Sequence, residues 1–223
     1  MLERLNLLLE LGGPVLITLV ILSVVALSII VYKSIQFVML LGQGRSFVPV
    51  GLKHYRARHY EDALRVRARR RSPVARVVDV AIVGHARTDL KEFTVREEVE
   101  RVAVLHLEKM RSYLRGLEVI GTLSPLLGLL GTVLGMIDAF QQLEYSGSRV
   151  DPGVLSGGIW EALLTTAAGL VVAIPTLAML NWFERIVQRT AHEMENAVTQ
   201  VFTGSVNDPP ADYVTSQLRA TQR

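Results

Sequence analysis

Glu161 stands in the segment SGGIWEALLTT, residues 156–166, and is the only residue ionisable at neutral pH between Pro152 and Phe183. An ionised side chain deep in a bilayer costs about 2.5–3.5 kcal/mol on insertion scales, and desolvation favours the neutral form of any carboxyl. A carboxyl so placed can take up and release protons. A carboxylate at the membrane surface would instead mark the outer end of a span. Glu161 lies 23 residues before Glu184, roughly 35 Å of helix at 1.5 Å per residue, which fits either reading. Thr165 and Thr166 follow Glu161 within five residues, and Thr132 stands in the second apolar run. Each can offer its oxygen to a proton or ion, or bond its own helix backbone. On a 100° wheel Thr165 lies about 40° from Glu161 and Thr166 about 140° away.

Other chemistries find no footing. The chain has no cysteine, which excludes disulfides, thiol nucleophiles and cysteine-ligated metals. His192 and Glu193 lack a second histidine for a zinc helix motif, and His54 and His59, five apart, cannot share a helical face closely. No phosphate loop or dinucleotide glycine motif occurs, and nothing marks a Ser–His–Asp triad. His106 falls on an apolar stripe and is expected to pack. No metal, no cofactor and no enzymatic activity are expected.

The elements that must position Glu161 are long apolar helices. Residues 11–32, 119–137 and 162–183 contain no Asp, Glu, Lys, Arg or His, and about 20 such residues cross a bilayer. Three fully buried helices of a soluble protein would need more surrounding chain than 223 residues supply. The first run lacks a basic leader, with Arg4 set against Glu3 and Glu10, and is too long for a cleaved signal. Lys33 sits near its inner end and can snorkel.

Charge placement gives orientation. Of 24 Lys and Arg, 17 lie between Gly42 and Gly116, one precedes the first run and one, Arg149, separates the second from the third. Basic residues near span ends mark the cytoplasmic side, so the 42–116 segment and the C-terminus face inward. The stretch LRVRARRRSPVARVV, residues 64–78, reads as a solvated, topology-fixing segment or as a patch for anionic lipid headgroups. No aromatic residue interleaves its arginines, so a nucleic-acid partner is not expected.

Two helices outrun the membrane. TVRE at Thr94–Glu97 fits a capping box, and apolar residues recur from Val95 through Val99, Val102, Met110, Tyr113, Leu117 and Ile120. This spacing predicts one helix from about Val95 to Phe140, with Pro125 inside it. After Phe183 the stripe continues at Val187, Ala191, Met194, Val198 and Val201 up to Gly204. These stripes must pack on each other or on copies of themselves. The second and third runs are also rich in small residues four apart: Ser124, Gly128 and Thr132; Gly131, Gly135 and Ala139; Gly158, Ala162 and Thr166; Thr165, Gly169 and Ala173. Such faces let helices approach closely in lipid. Gly128, Gly131, Gly135 and Gly169 are the helix-packing positions.

The segments LSPLLGLLGTVLGMIDAF, residues 123–140, and GGIWEALLTTAAGLVVAIPTLAMLNWF, residues 157–183, resemble the ExbB/TolQ branch of the MotA/TolQ/ExbB proton-channel family. The likeness is close over roughly 115–200, and the three-span layout matches. It implies an all-α membrane protein forming a homopentameric ring in the bacterial inner membrane around an ExbD/TolR-like single-span dimer bearing an aspartate. It further implies work delivered through a TonB- or TolA-like protein. Glu161 would be the pore glutamate, with Thr132 and Thr166 the accompanying polar threonines; wheel geometry keeps Thr165 as a secondary candidate.

The expected organisation is a periplasmic N-terminus (1–13), the first span (14–41), a basic cytoplasmic segment (42–93), a long helix containing the second span (94–141), a periplasmic loop (142–154), a long helix with the third span and a cytoplasmic extension (155–203), and a disordered tail (204–223). The rival reading is a membrane scaffold without ion flux, in which Glu161 pairs with a partner's charge. A solute transporter fares worse, because no internal repeat or broken-helix pair is present.

Overall fold

The computed structural model describes residues 2–44, 72–87, 89–145 and 152–203, with the side chains of 2–12, 41–44, 152 and 154 left aside. The arginine-rich stretch through Arg71, His54, His59, residues 146–151 and the tail from Gly204 lie outside the described residues, and so do the expectations placed on them.

Among the described residues every regular element is an α-helix: α1 (Leu2–Gly44), α2 (Pro73–Ala86), α3 (Glu92–Arg111), α4 (Leu114–Tyr145) and α5 (Pro152–Phe202). A helix satisfies its peptide groups within itself, as hydrocarbon demands. Three stretches are long and apolar enough to span a membrane, at Gly13–Leu40, within Glu92–Tyr145 and within Leu155–Phe202. Pro14, Pro125 and Pro175 lie inside α1, α4 and α5. The chain divides into two compact units, Met1–Ile35 with Arg111–Arg185, and Gln36–Met110 with Ile186–Arg223.

In the first unit α4 and α5 run antiparallel. Gly121 of α4 approaches Leu177, Gly128 approaches Thr166, Gly135 approaches Ala162 and Ala139 approaches Gly158, so one sequence rises as the other falls. The buried face of α5 carries Ala162, Thr165, Ala173, Thr176, Leu180 and Phe183 at three- and four-residue steps. On α1, Leu16, Leu19, Ala26 and Lys33 are buried, while Ile21, Val24, Leu27, Val31 and Ile35 are exposed. A row of large exposed aliphatics suits lipid or a neighbouring subunit, not water.

Lys33 does not snorkel. It is fully buried, its ammonium donates to Ser112 Oγ at 3.3 Å and stands 5.9 Å from the centre of the Tyr113 ring. It is drawn inward because α1 packs its polar position against a turn, not against open lipid. That turn is a second difference from expectation. The single helix anticipated over 94–141 is two helices, interrupted at Ser112–Tyr113. Tyr113 has φ 64°, a left-handed conformation that costs an L-residue roughly 1–2 kcal/mol. The helix restarts where Gly116 N donates to the Tyr113 carbonyl at 3.1 Å. No Gly or Pro occupies 110–115, so local sequence does not dictate the break. Thr94 is not the helix cap either: α3 begins at Glu92, and Val95 N already donates to the Lys91 carbonyl at 3.3 Å.

The second unit is a small helical core. Val74, Val77, Val78 and Ala81 of α2 pack with Val95 and Val99 of α3 and with Met194, Ala197 and Val201 of α5. The two stripes thus pack in one core together with a third helix. That helix, α2, lies in what composition marks only as a basic segment. Ser72 precedes it and Pro73 sits at its first turn, where a missing N–H costs nothing.

His106 lies on α3, outside the apolar run of the second span. Its pKa is lowered by desolvation first, then by the positive charges of Arg76 and Lys109. A histidine whose folded pKa is depressed binds fewer protons than in the unfolded chain once pH falls below its ordinary value of about 6.5. Stability from this residue is therefore full above that pH and declines as the solution is acidified through and below it. Thermal melts of the full chain between pH 7.5 and 5.5 should show a falling midpoint, and His106→Gln should flatten that dependence.

Candidate functional site

The polar groups of the apolar helices collect along the α4–α5 contact. A methyl placed on Gly128 would lie 3.0 Å from the Thr165 carbonyl oxygen and 3.0 Å from Thr166 Cα, and one on Gly135 would lie 3.1 Å from Ala162 Cβ. One on Gly131 would meet Thr165 Cβ at 2.7 Å, and one on Gly169 would stand 2.5 Å from the Ser124 carbonyl. At Gly128, Gly135 and Gly169 the two helices thus bring main-chain atoms close together, while Gly131 makes room for the Thr165 side chain.

This closeness lets side chains of α5 reach the main chain of α4. Thr166 Oγ1 donates to the Gly128 carbonyl at 3.0 Å. Thr165, fully buried, donates to its own helix at Ala162 O, 2.7 Å, and lies 3.4 Å from the same Gly128 carbonyl. Thr132 Oγ1 donates to Leu129 O at 2.6 Å, within its own helix. It is half-buried and lines an open groove with Met136, Phe140 and Glu144.

Glu161 is half-buried, one residue before the Ala162 that seats against Gly135. It makes no hydrogen bond or ion pair with the described residues. Its neighbours Trp160 and Leu163 are exposed. The structure thus brings Thr165 and Thr166 together over Gly128 and clamps them with Gly131, Gly135 and Gly169. It joins neither threonine, nor Thr132, to the Glu161 carboxyl by a hydrogen bond. Ser124 belongs to the same contact through its carbonyl, and Gly121 extends it toward Leu177, at 2.6 Å from an added methyl. Gly121 is a contact that the four-residue spacing misses, because it stands three residues before Ser124; a GxxSxxxG face is the signal that finds it. Among the described residues no cluster of three or more His, Asp or Glu could hold a metal.

The hydrogen bonds separate two threonines by what their loss would do. Thr166→Val should weaken the helix pair by about 0.6 kcal/mol, up to ~1.7, the range for interhelical bonds in membranes. Thr132→Val leaves no partner on another helix and should be nearly silent in stability. Unfolding in detergent of the two variants checks the difference; any effect of Thr132→Val on ion movement would then be separate from folding.

Taken together, these are the features of a multi-pass α-helical membrane protein with small-residue contacts between two of its apolar helices. Residues 69–196, more than half of the chain, match the MotA/TolQ/ExbB proton channel family, and the chain belongs to that family, whose members are channel and transport subunits and not enzymes. It is similar to biopolymer transport protein exbB1 of Vibrio cholerae, 40% identical over 106 residues that make up 46% of each chain. It is also similar to the putative ExbB-like protein 3 of Synechocystis, 32% identical over 87% of this chain and 90% of that one. ExbB of Pseudomonas putida is 35% identical over 46% of this chain and 31% of its own. The chain thus spans under half of the Vibrio and Pseudomonas relatives and nearly all of the Synechocystis one.

Proposed function

We propose that the chain is the ring-forming proton-channel subunit of an energy-transducing complex in the bacterial inner membrane, with its N-terminus in the periplasm and its C-terminus in the cytoplasm. The observation that carries this reading is Glu161: the single residue ionisable at neutral pH between Pro152 and Phe183, inside the family-matched region, and unpaired with the described residues of its own chain. Three spans are too few to enclose a pathway, so several copies must do so, and we take five. Glu161 would then receive its counterpart from outside the chain, an aspartate on an ExbD/TolR-like single-span dimer held within the ring.

Protonation of Glu161 removes its charge and lets the neighbouring helix move past; release on the far side restores the charge and bars return. The hydroxyls of Thr132 and Thr166, with Thr165 as the secondary candidate, serve the proton's path. A lone carboxyl beside hydroxyls suits H⁺ better than Na⁺, which needs several oxygen ligands. Each proton yields about 2.3 kcal/mol per 100 mV and about 1.4 kcal/mol per pH unit, so a few protons drive a substantial step. The work passes to a TonB- or TolA-like protein, and anionic headgroups meet the basic segment 42–93. The test is proton flux into liposomes holding the chain with its single-span partner. Flux that needs both components supports the reading; assembly of both with no flux supports a scaffold instead.

A further inference from the structure

We propose that the start of α2 is a site for a phosphate group, built from the Ser72 hydroxyl, the amides of the helix's first turn and the Arg189 guanidinium. The site lies within the second unit and does not depend on the role given to Glu161. It goes beyond the headgroup contact proposed for segment 42–93 by naming the donors.

A serine before a helix ordinarily turns its hydroxyl back to accept from the amide two or three residues on. Ser72 has the extended backbone of such a cap, φ −66° and ψ 134°, and its carbonyl accepts from Arg76 N at 3.2 Å. Its hydroxyl, however, makes no capping bond. The amides of Val74 and Ala75 therefore keep the unpaired state in which a first turn leaves them, and neither finds an acceptor among the described residues. The hydroxyl belongs to a residue only 5% exposed and bonds to none of the described residues either. Buried polar groups are ordinarily paired, and here a hydroxyl and two amides at one helix end are not.

Ser72, Pro73 and Val74 line a cavity of about 40 Å³. That is roughly three times what one water needs and far below the ~300–1,000 Å³ of small-molecule pockets, so its size suits a single tetrahedral group. Arg189 and Glu193 of α5 form another wall. Arg189 uses its Nε on Glu193 at 3.4 Å, and its two terminal nitrogens have no partner among the described residues. Thr190 also lines the cavity, but its hydroxyl donates to the Ile186 carbonyl at 2.9 Å and is not counted as a donor. Glu193 is the one acid at the wall, and its charge is set against that of Arg189. Donors thus come from two helices, and the N-terminal end of α2 adds the positive pole of its dipole. A carboxylate has two oxygens to share between them, whereas a phosphate has three or four and matches a guanidinium fork besides. Inorganic phosphate and the headgroup of an anionic phospholipid share this chemistry.

The test is phosphorus NMR of inorganic phosphate titrated against the full chain in a non-ionic detergent at constant ionic strength, with short-chain phosphatidylglycerol titrated in parallel. Saturable binding is expected. Ser72→Ala and Arg189→Gln should each weaken it about tenfold, the loss of one hydrogen bond to a charged group. Arg101→Gln removes a similarly exposed arginine, paired with Glu98 on α3, and should leave binding unchanged. Binding of the lipid with the same dependence on Ser72 and Arg189 assigns the site to a headgroup; binding of inorganic phosphate alone, with that dependence, assigns it to the free ion. Either result supports the site. No saturable binding of phosphate or lipid, or binding in Ser72→Ala and Arg189→Gln as tight as in the wild type, overturns it. The Arg189 side chain is 64% exposed, so Arg189→Gln does not disturb the core and decides alone should Ser72→Ala give no folded protein. Proton flux is a separate measurement, so failure here leaves the reading of Glu161 as it stands.

Discussion

Glu161→Gln is expected to lower proton flux at least about 100-fold in liposomes that hold the chain with its partner, while the oligomer and partner still purify together. The magnitude follows from removing the only group ionisable at neutral pH between Pro152 and Phe183, since a positioned acid–base side chain contributes typically 10²–10⁴-fold to proton transfer. Glutamine has the same shape and polarity but does not ionise in the working range. It should also leave packing alone, because Glu161 is bonded to none of the described residues and the adjacent close contact belongs to Ala162 and Gly135. Glu161→Asp keeps the acid but withdraws it by one methylene, so partial flux is expected, between that of the wild type and that of the glutamine variant. A glutamine variant with undiminished flux would mean that protons travel elsewhere. Loss of the partner along with the flux would mean that Glu161 is an assembly contact, as the scaffold reading holds.

What is legible in the sequence, and what is not, divides on physical grounds. Helix contacts in lipid depend on small residues spaced by four, so Gly128, Gly131, Gly135 and Gly169 stand out from their spacing alone, and all four lie where α4 and α5 touch. A charge-free run of helical length has few alternatives, which is why the three apolar helices are evident. The α2 helix is hidden because its arginine-rich approach suggests a solvated segment. Its Val74, Val77, Val78 and Ala81 do keep helical spacing, and they form much of the second unit's core. The break at Ser112–Tyr113 is not legible at all, since its partner is Lys33, 79 residues away. The choice between Thr165 and Thr166 turns, in sequence, on angles about one helix axis. The structure shows instead that both hydroxyls lie at one carbonyl of the opposite helix, that of Gly128, which no single-helix wheel contains.

The second large effect is expected at Gly169. In an exposed helix, Gly→Ala raises stability by roughly 1 kcal/mol. Here the sign should reverse. A methyl on Gly169 would stand 2.5 Å from the Ser124 carbonyl oxygen and 3.2 Å from Gly128 Cα, and both are main-chain atoms that cannot rotate aside. The helices must separate, so Gly169→Ala should destabilise the chain by about 2–3 kcal/mol, and Gly169→Leu should leave no paired α4–α5. Gly121 offers an internal comparison: its added methyl would meet Leu177 Cδ2 at 2.6 Å, the end of a flexible side chain, so Gly121→Ala should cost less. At Gly116 the nearest atom is Ile29 Cδ1 at 3.7 Å, ordinary contact, and alanine there should be neutral or stabilising. Unfolding in detergent should rank the three variants in that order. Separation at Gly169 also pulls Thr166, three residues away, from the Gly128 carbonyl, so flux should fall with stability at Gly169 but not at Gly116. If Gly169→Ala proves as stable as Gly116→Ala, the two helices do not approach backbone to backbone, and the threonines lose the contact that places them.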